Sequence, residues 1–281
     1  MRRSVFIGCA GSHVAAHAAT VTDQFGLERV GGSTLAVDMQ DDDLIPAWAT
    51  IIELAQAGIS TQWTLVGGLM VAAHARRAGV LMRRPTDDVD ALVDYVANRS
   101  SLTEARATLS MIGFQLSEDE QHAYRFRHED GRKVDLMVAD HLPSRMSPRL
   151  DRRPAFEAPS GEQAIRRRDI YQLAFRSGTT AGLGVPDELG ALVAKGAAWV
   201  ADTRNRDRHL DDVAVLLACI ADASDLDYAS SSANDRKRVR VATGILSNES
   251  HPSWVNLDAV DRRRGQLNLK LIRQGFGFSG S

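Results

Sequence analysis

From Trp63 to Gly79 the chain reads WTLVGGLMVAAHARRAG. The opening residues make a short buried strand, and the run from Leu69 reads as a helix closed by Gly79. Only Gly67 and Gly68 lie between them. Glycines at such a junction let the backbone approach a ligand closely, and the helix start behind them presents free N–H groups suited to phosphate oxygens. A bare glycine pair also fits an ordinary tight turn. It is neither a Walker loop nor a dinucleotide fingerprint, both of which need more glycines at set spacing.

The flanking segments extend the pattern. Pro46 stands where a first helical turn tolerates it, and Trp48, Ile51, Ile52 and Ala55 recur at helical spacing up to Gly58. DDVDALVD reads as a second strand. SLTEARATLSMIGF reads as a helix, with Ser101 and Glu104 placed as a capping box. HAYRFRHEDGRKVDLMVAD is a hairpin pattern turned at EDG. Helix, strand, helix, strand, helix, strand, strand predicts an α+β fold: a small mixed β-sheet core with covering helices, followed by a helical C-terminal domain. Residues 1–40 read as an N-terminal extension, 41–145 as the core, 146–185 as a Pro-, Ser- and Arg-rich linker or lining segment, and 186–281 as the helical domain.

With 281 residues and 30.6 kDa the chain can bury a core of this kind. Its formal net charge of -2 gives no whole-molecule attraction to nucleic acid or to an anionic membrane, so any such affinity must be local. Cys9 and Cys219 exclude a disulfide framework and suit a reducing cytoplasm. No apolar stretch approaches the roughly eighteen residues that span a bilayer. At the start, Arg2 and Arg3 precede an apolar run, but Ser12, His13 and His17 break it, which reads against an export signal. Met39 offers an alternative start.

Chemistry enters with the aspartates. On a strand, side chains two apart share a face, so Asp88 and Asp90 project together while Val89 goes to the opposite side. In KVDLMVAD, Val134, Leu136 and Val138 share one face and Asp135 the other. Were the two strands neighbours, about 4.8 Å apart, three carboxylates would converge. Unpaired, they would repel one another and push a pKa upward; divalent cations remove that penalty. Oxygen ligands without His or Cys suit Mg²⁺ or Mn²⁺ rather than zinc. The plain alternative is a solvated strand end, where most acidic pairs sit. Asp135 fits that less well, because burying it between Val134 and Leu136 without a partner would cost several kcal/mol.

Strand–GG–helix, then RRPTDDVD, then KVDLMVAD resembles the nucleotidyltransferase superfamily, the polymerase-β-like fold, from about Gln62 to Asp140. The resemblance implies that Asp88 and Asp90 bind the metals and that Asp135 completes the site and helps deprotonate the attacking hydroxyl. It implies that Gly67 and Gly68 hold the triphosphate of an NTP. Many members carry Ser after the first glycine, whereas this chain has Gly68. Arg83, Arg84 and Thr86 precede the carboxylates, where they would meet phosphate or hold the loop; Asp87 does not fit the motif.

Further on, Lys195 lies inside the apolar helix ELGALVAKGAAWV, beside its buried stripe. There it either snorkels to the surface or reaches the cleft and neutralises triphosphate charge. With RNRDRHLDDV after it, this region resembles the AbiEii/MenT-like branch, whose members include toxins of bacterial toxin–antitoxin pairs. That branch implies active-site roles for Lys195 and Asp212, with Asp211 second to Asp212 and His209 on the helix surface. It implies a tRNA 3′ end as acceptor and an antitoxin as partner. The arginine clusters at Arg166–Arg168, in DRKRVRV and in DRRRG would then contact an RNA backbone or, as plain solvated helix faces, nothing. Two other readings stand beside it: transfer to a small molecule, as in antibiotic nucleotidylation, and a non-catalytic relic of the fold.

Overall fold

The computed structural model describes residues 21–22, 28–29, 32–39, 45–58, 63–83, 86–118 and 121–278. Val21–Thr22 (β1) and Glu28–Arg29 (β2) pair antiparallel, apart from the main sheet. Thr34–Asp38 is β3 and Pro46–Gln56 is α1, with the proline at the helix start. Trp63–Val66 (β4) runs directly into Gly67–Ala78 (α2), which ends on Gly79 in the left-handed conformation at φ 69°. Asp88–Val93 is β5 and Ser101–Met111 is α3. The capping box at α3 does not form: Ser100 is the N-cap without a side-chain cap bond, and the Glu104 carboxylate instead accepts Asn98 Nδ2 at 3.0 Å. Then come Gln115–Leu116 (β6), Arg125–Arg127 (β7) and Lys133–Ala139 (β8).

The segment 146–185, expected as a linker, is largely regular. Arg149–Leu150 (β9) and Arg153–Pro154 (β10) form a small ribbon, followed by Glu157–Ala158 (β11) and Gly161–Arg166 (α4). Arg168–Ala174 (β12) and Thr180–Pro186 (β13) are full members of the central sheet. So is β3, which lies within the expected extension 1–40; most of that stretch, with Cys9 and the apolar start, falls outside the described residues. Glu188–Ala201 (α5), Asp207–Cys219 (α6), Ala233–Leu246 (α7) and Ala259–Gly275 (α8) make the helical C-terminal part. Among the described residues no helix is long and apolar enough to cross a membrane.

The central sheet has nine strands in the order β3-β12-β13-β4-β5-β8-β7-β6, with β11 added to β8. It is mixed: β5 and β8 are parallel, while β4 with β5 and β7 with β8 are antiparallel. Strand alternation gives its middle two unlike faces. Val89, Ala91, Val93, Val134, Leu136 and Val138 belong to the main core, which Trp48, Ile51 and Leu54 of α1 and Leu102 and Leu109 of α3 share. On the opposite face Val66, Leu92, Ala139, Ala158, Ala164 and Ile165 form a smaller apolar cluster. That cluster fills only one end of the face. The other end holds Asp88, Asp90, Lys133 and Asp135.

Candidate active site

Register brings the polar end together. Val66 pairs with Asp90, Asp90 with Asp135, and Asp135 with Arg125, so one row crosses β4, β5, β8 and β7. A second row sets Asp88 beside Lys133, whose Nζ reaches Asp88 Oδ1 at 3.3 Å. Because β4 ends at Val66, α2 begins directly over Asp90. Gly67 has φ +65°, and a Cβ on it would lie 1.8 Å from Asp90 Oδ2, so no side chain is tolerated there. A Cβ on Gly68 would lie 2.5 Å from Thr86 Oγ1, which occupies the space a serine side chain would need. The α2 N-terminus carries no side-chain cap, leaving first-turn N–H groups beside the carboxylates.

Electrostatics single out Asp90. Burial, then the neighbouring Asp135, and less strongly Asp88, push its pKa up to about 7, against the pull of Lys195 and Arg208. Among the described residues it forms no ion pair. Asp135 is held differently. Arg125 Nε donates to its Oδ1 at 2.9 Å and Nη2 to its Oδ2 at 2.6 Å, a bidentate pair set by their cross-strand register. The three predicted carboxylates do meet on one patch, and one of them is taken by an arginine.

The C-terminal helices close the cleft. Lys195 of α5 pairs with Asp212 of α6, Nζ to Oδ2 at 2.7 Å, with side chains only 5% and 3% exposed. His209, expected on the helix surface, is buried: a turn of helix earlier than Asp212, it faces the same cleft. Its Nε2 lies 3.3 Å from Asp202 Oδ2, and burial, then Lys195 and Arg208, lower its pKa. Asp202 in turn accepts the N–H groups of Arg204 and Asn205, which hold its carboxyl well below the usual range.

Gly67, Gly68, Thr86, Asp88, Asp90, Lys195 and Asp212, all nominated from the sequence, line this one cleft of about 890 Å³. Asp135 sits behind it on Arg125. Asp211 is not in the lining, and Arg84 lies outside the described residues. Sequence reasoning missed Arg125, Lys133 and Arg208. The first two were reachable, since a hairpin turned at EDG sets Arg125 opposite Asp135.

A divalent cation fits the donor set. Asp88 and Asp90 supply hard oxygens from adjacent same-face positions, and Asp90 has no cationic partner among the described residues. Among those residues no group of three or more His, Cys, Asp or Glu side chains is placed to hold a metal alone. Other ligands would have to come from substrate or water.

No family model matches this chain, and no curated protein matches it. Among solved structures it is similar to one described as "ANT(2")-Ia in complex with adenylyl-2"-tobramycin", at 13% identity and a TM-score of 0.32 over 80% of this chain and 96% of that one. So loose a superposition carries no functional argument.

Proposed function

We propose that the protein is a divalent-cation-dependent nucleotidyltransferase that moves a nucleoside monophosphate from an NTP to an acceptor hydroxyl and releases pyrophosphate. One observation carries this: Asp90, without a counter-ion among the described residues, lies against the uncapped start of α2 and beside Asp88, in a cleft whose far wall presents Lys195. The carboxylates call for a cation; the helix start and the lysine call for an anion. An NTP with its cation supplies both.

Asp88 and Asp90 would hold Mg²⁺ or Mn²⁺. When bound, that ion offsets the carboxylate charge and polarises the reacting phosphate. Gly67 and Gly68 admit phosphate oxygens to the backbone N–H groups, and the Thr86 hydroxyl stands where a serine would. Lys195, kept in place by Asp212, offsets the negative charge that grows on the leaving pyrophosphate. The acceptor oxygen bonds to the α-phosphorus as the bond to the bridging oxygen breaks, and the hydroxyl proton passes to solvent water.

For the acceptor, the small-molecule reading has the better support. Part of the basic surface nominated for RNA is engaged in contacts within the fold. Arg167 is buried and bonded to Asp187 and Ser230, Arg168 donates to Thr64, and Arg262 and Arg264 donate to the carbonyls of Trp254 and Ala218. Arg236 and Arg240 lie over Phe276 and Phe278 but stay exposed. A tRNA 3′ end, with an antitoxin partner, is the competing acceptor. The test incubates the protein with each of four α-labelled NTPs, Mg²⁺, and either hydroxylated antibiotics or bulk tRNA. Label on a small molecule that disappears in Asp90→Ala is expected. Label on tRNA instead would restore the toxin reading, and no transfer to either would leave the fold as a relic.

A further inference from the structure

If the cleft does perform nucleotidyl transfer, the number of cations it holds depends on Arg125. The row across the sheet places Asp135 between Asp90 on β5 and Arg125 on β7. A third carboxylate so close to the first two would ordinarily be read as a bridge to a second cation. Here both its oxygens are occupied. The guanidinium meets them in the two-pronged geometry that suits a planar fork, at 2.9 and 2.6 Å. Arg125 is braced as well: its guanidinium carbon lies 5.2 Å from the centre of the Tyr124 ring. Asp135 itself is 7% exposed, so breaking the pair would leave its buried carboxylate without the guanidinium that compensates it.

The charges around the cleft agree with this division. Asp88 has Lys133, Asp135 has Arg125 and Asp212 has Lys195. Asp90 alone of these four carboxylates forms no ion pair among the described residues. One cation shared by Asp88 and Asp90 answers that deficit. A second would crowd an arginine already in place.

We propose that Arg125 is a built-in counter-ion that withholds Asp135 from cation binding, so that the site takes one divalent cation, on Asp88 and Asp90, rather than two. Arg125 is therefore a positioning residue, acting through the carboxylate it holds.

Mn²⁺ titration of the full chain, read by electron paramagnetic resonance with and without a non-hydrolysable NTP analogue, tests this independently of turnover. The wild-type protein should bind one Mn²⁺ per chain in the nucleotide complex. Arg125→Met, which frees the Asp135 carboxylate, should bind two. The double variant Arg125→Met, Asp135→Asn should return to one. Should Arg125→Met fail to fold, Asp135→Asn alone decides: its Mn²⁺ affinity should stay within about threefold of wild type, whereas losing even an outer-shell partner of a metal typically costs about 10–100-fold. Two Mn²⁺ in the wild type, an unchanged count in Arg125→Met, or lost binding in Asp135→Asn would each overturn the assignment and leave nucleotidyl transfer standing. No Mn²⁺ bound even with the nucleotide analogue would overturn both.

Discussion

Asp90 is where local pattern and long-range placement meet. The alternation in DDVDALVD is enough to put Asp88 and Asp90 on one face, and the glycine pair is visible as a break between two periodicities. Neither shows that Gly67 touches Asp90, because that contact depends on β4 pairing antiparallel with β5. Arg125 is legible only at one remove: its importance lies in a cross-strand partner, which the register of the EDG hairpin names. The raised pKa of Asp90 has a stability consequence. Its folded value of about 7 exceeds the ordinary 3.8, so the contribution is favourable below pH 4 and is lost as pH rises through 7. Without cation, Asp90→Asn should match wild type near pH 4.5 and exceed it at pH 8. A full shift of that size corresponds to about 4 kcal/mol. Partial exposure of the side chain reduces the expected gain to about 1–2 kcal/mol, or roughly 2–6 °C in Tm. Added Mg²⁺ should raise the wild type alone and narrow the gap. A variant no more stable than wild type at pH 8 would remove the electrostatic case for a cation.

Among the elements, those with strong local signals were legible and those defined by remote pairing were not. The helices from Pro46 and Glu188, and the strands carrying Asp88 and Asp135, follow from periodicity. β12 and β13 do not: RDIYQLA and TAGLGVP follow a stretch rich in arginine and proline, and their strand character is completed by β3 and β4, far away in sequence. His209 was misplaced because helical spacing says which residues share a face without saying what covers it. The α5–α6 pair also supports a test. Lys195→Met removes the ammonium partner of the buried Asp212 carboxylate, and breaking this buried pair should cost about 3–5 kcal/mol in urea unfolding. Adding Asp212→Leu should recover most of that loss, since a well-packed apolar pair can replace a buried ion pair at little cost. Label transfer should remain absent in both. Activity returning with stability in the double variant would mean that Lys195 matters only for folding.

At the scale of the molecule, a buried polar network ties the glycine helix to the rest of the fold. His74, midway along α2, lies 2.9 Å through Nε2 from the Pro186 carbonyl, so Nε2 carries the proton; Nδ1, 3.1 Å from the Tyr171 hydroxyl, accepts. One turn later Arg77 pairs with Glu188 at the start of α5. The helix whose N-terminus faces Asp90 is thus fastened at its other end to β12, β13 and the helix bearing Lys195. Neutral imidazole satisfies both contacts, whereas a charged ring would stand buried with no carboxylate hydrogen-bonded to it among the described residues. Burial accordingly lowers the His74 pKa from 6.5 to about 4. The unfolded chain therefore binds more protons than the folded one between those values, and stability falls as pH drops from 6.5 toward 4. Asp90 works in the opposite sense over much of that window, so the measurement belongs in the Asp90→Asn background. There, unfolding free energy should fall by about 2–3 kcal/mol more between pH 7 and pH 4 than in the same protein carrying His74→Gln. Parallel pH profiles for the two would show that the network is held by the Arg77–Glu188 pair and that His74 contributes packing without a proton-linked term.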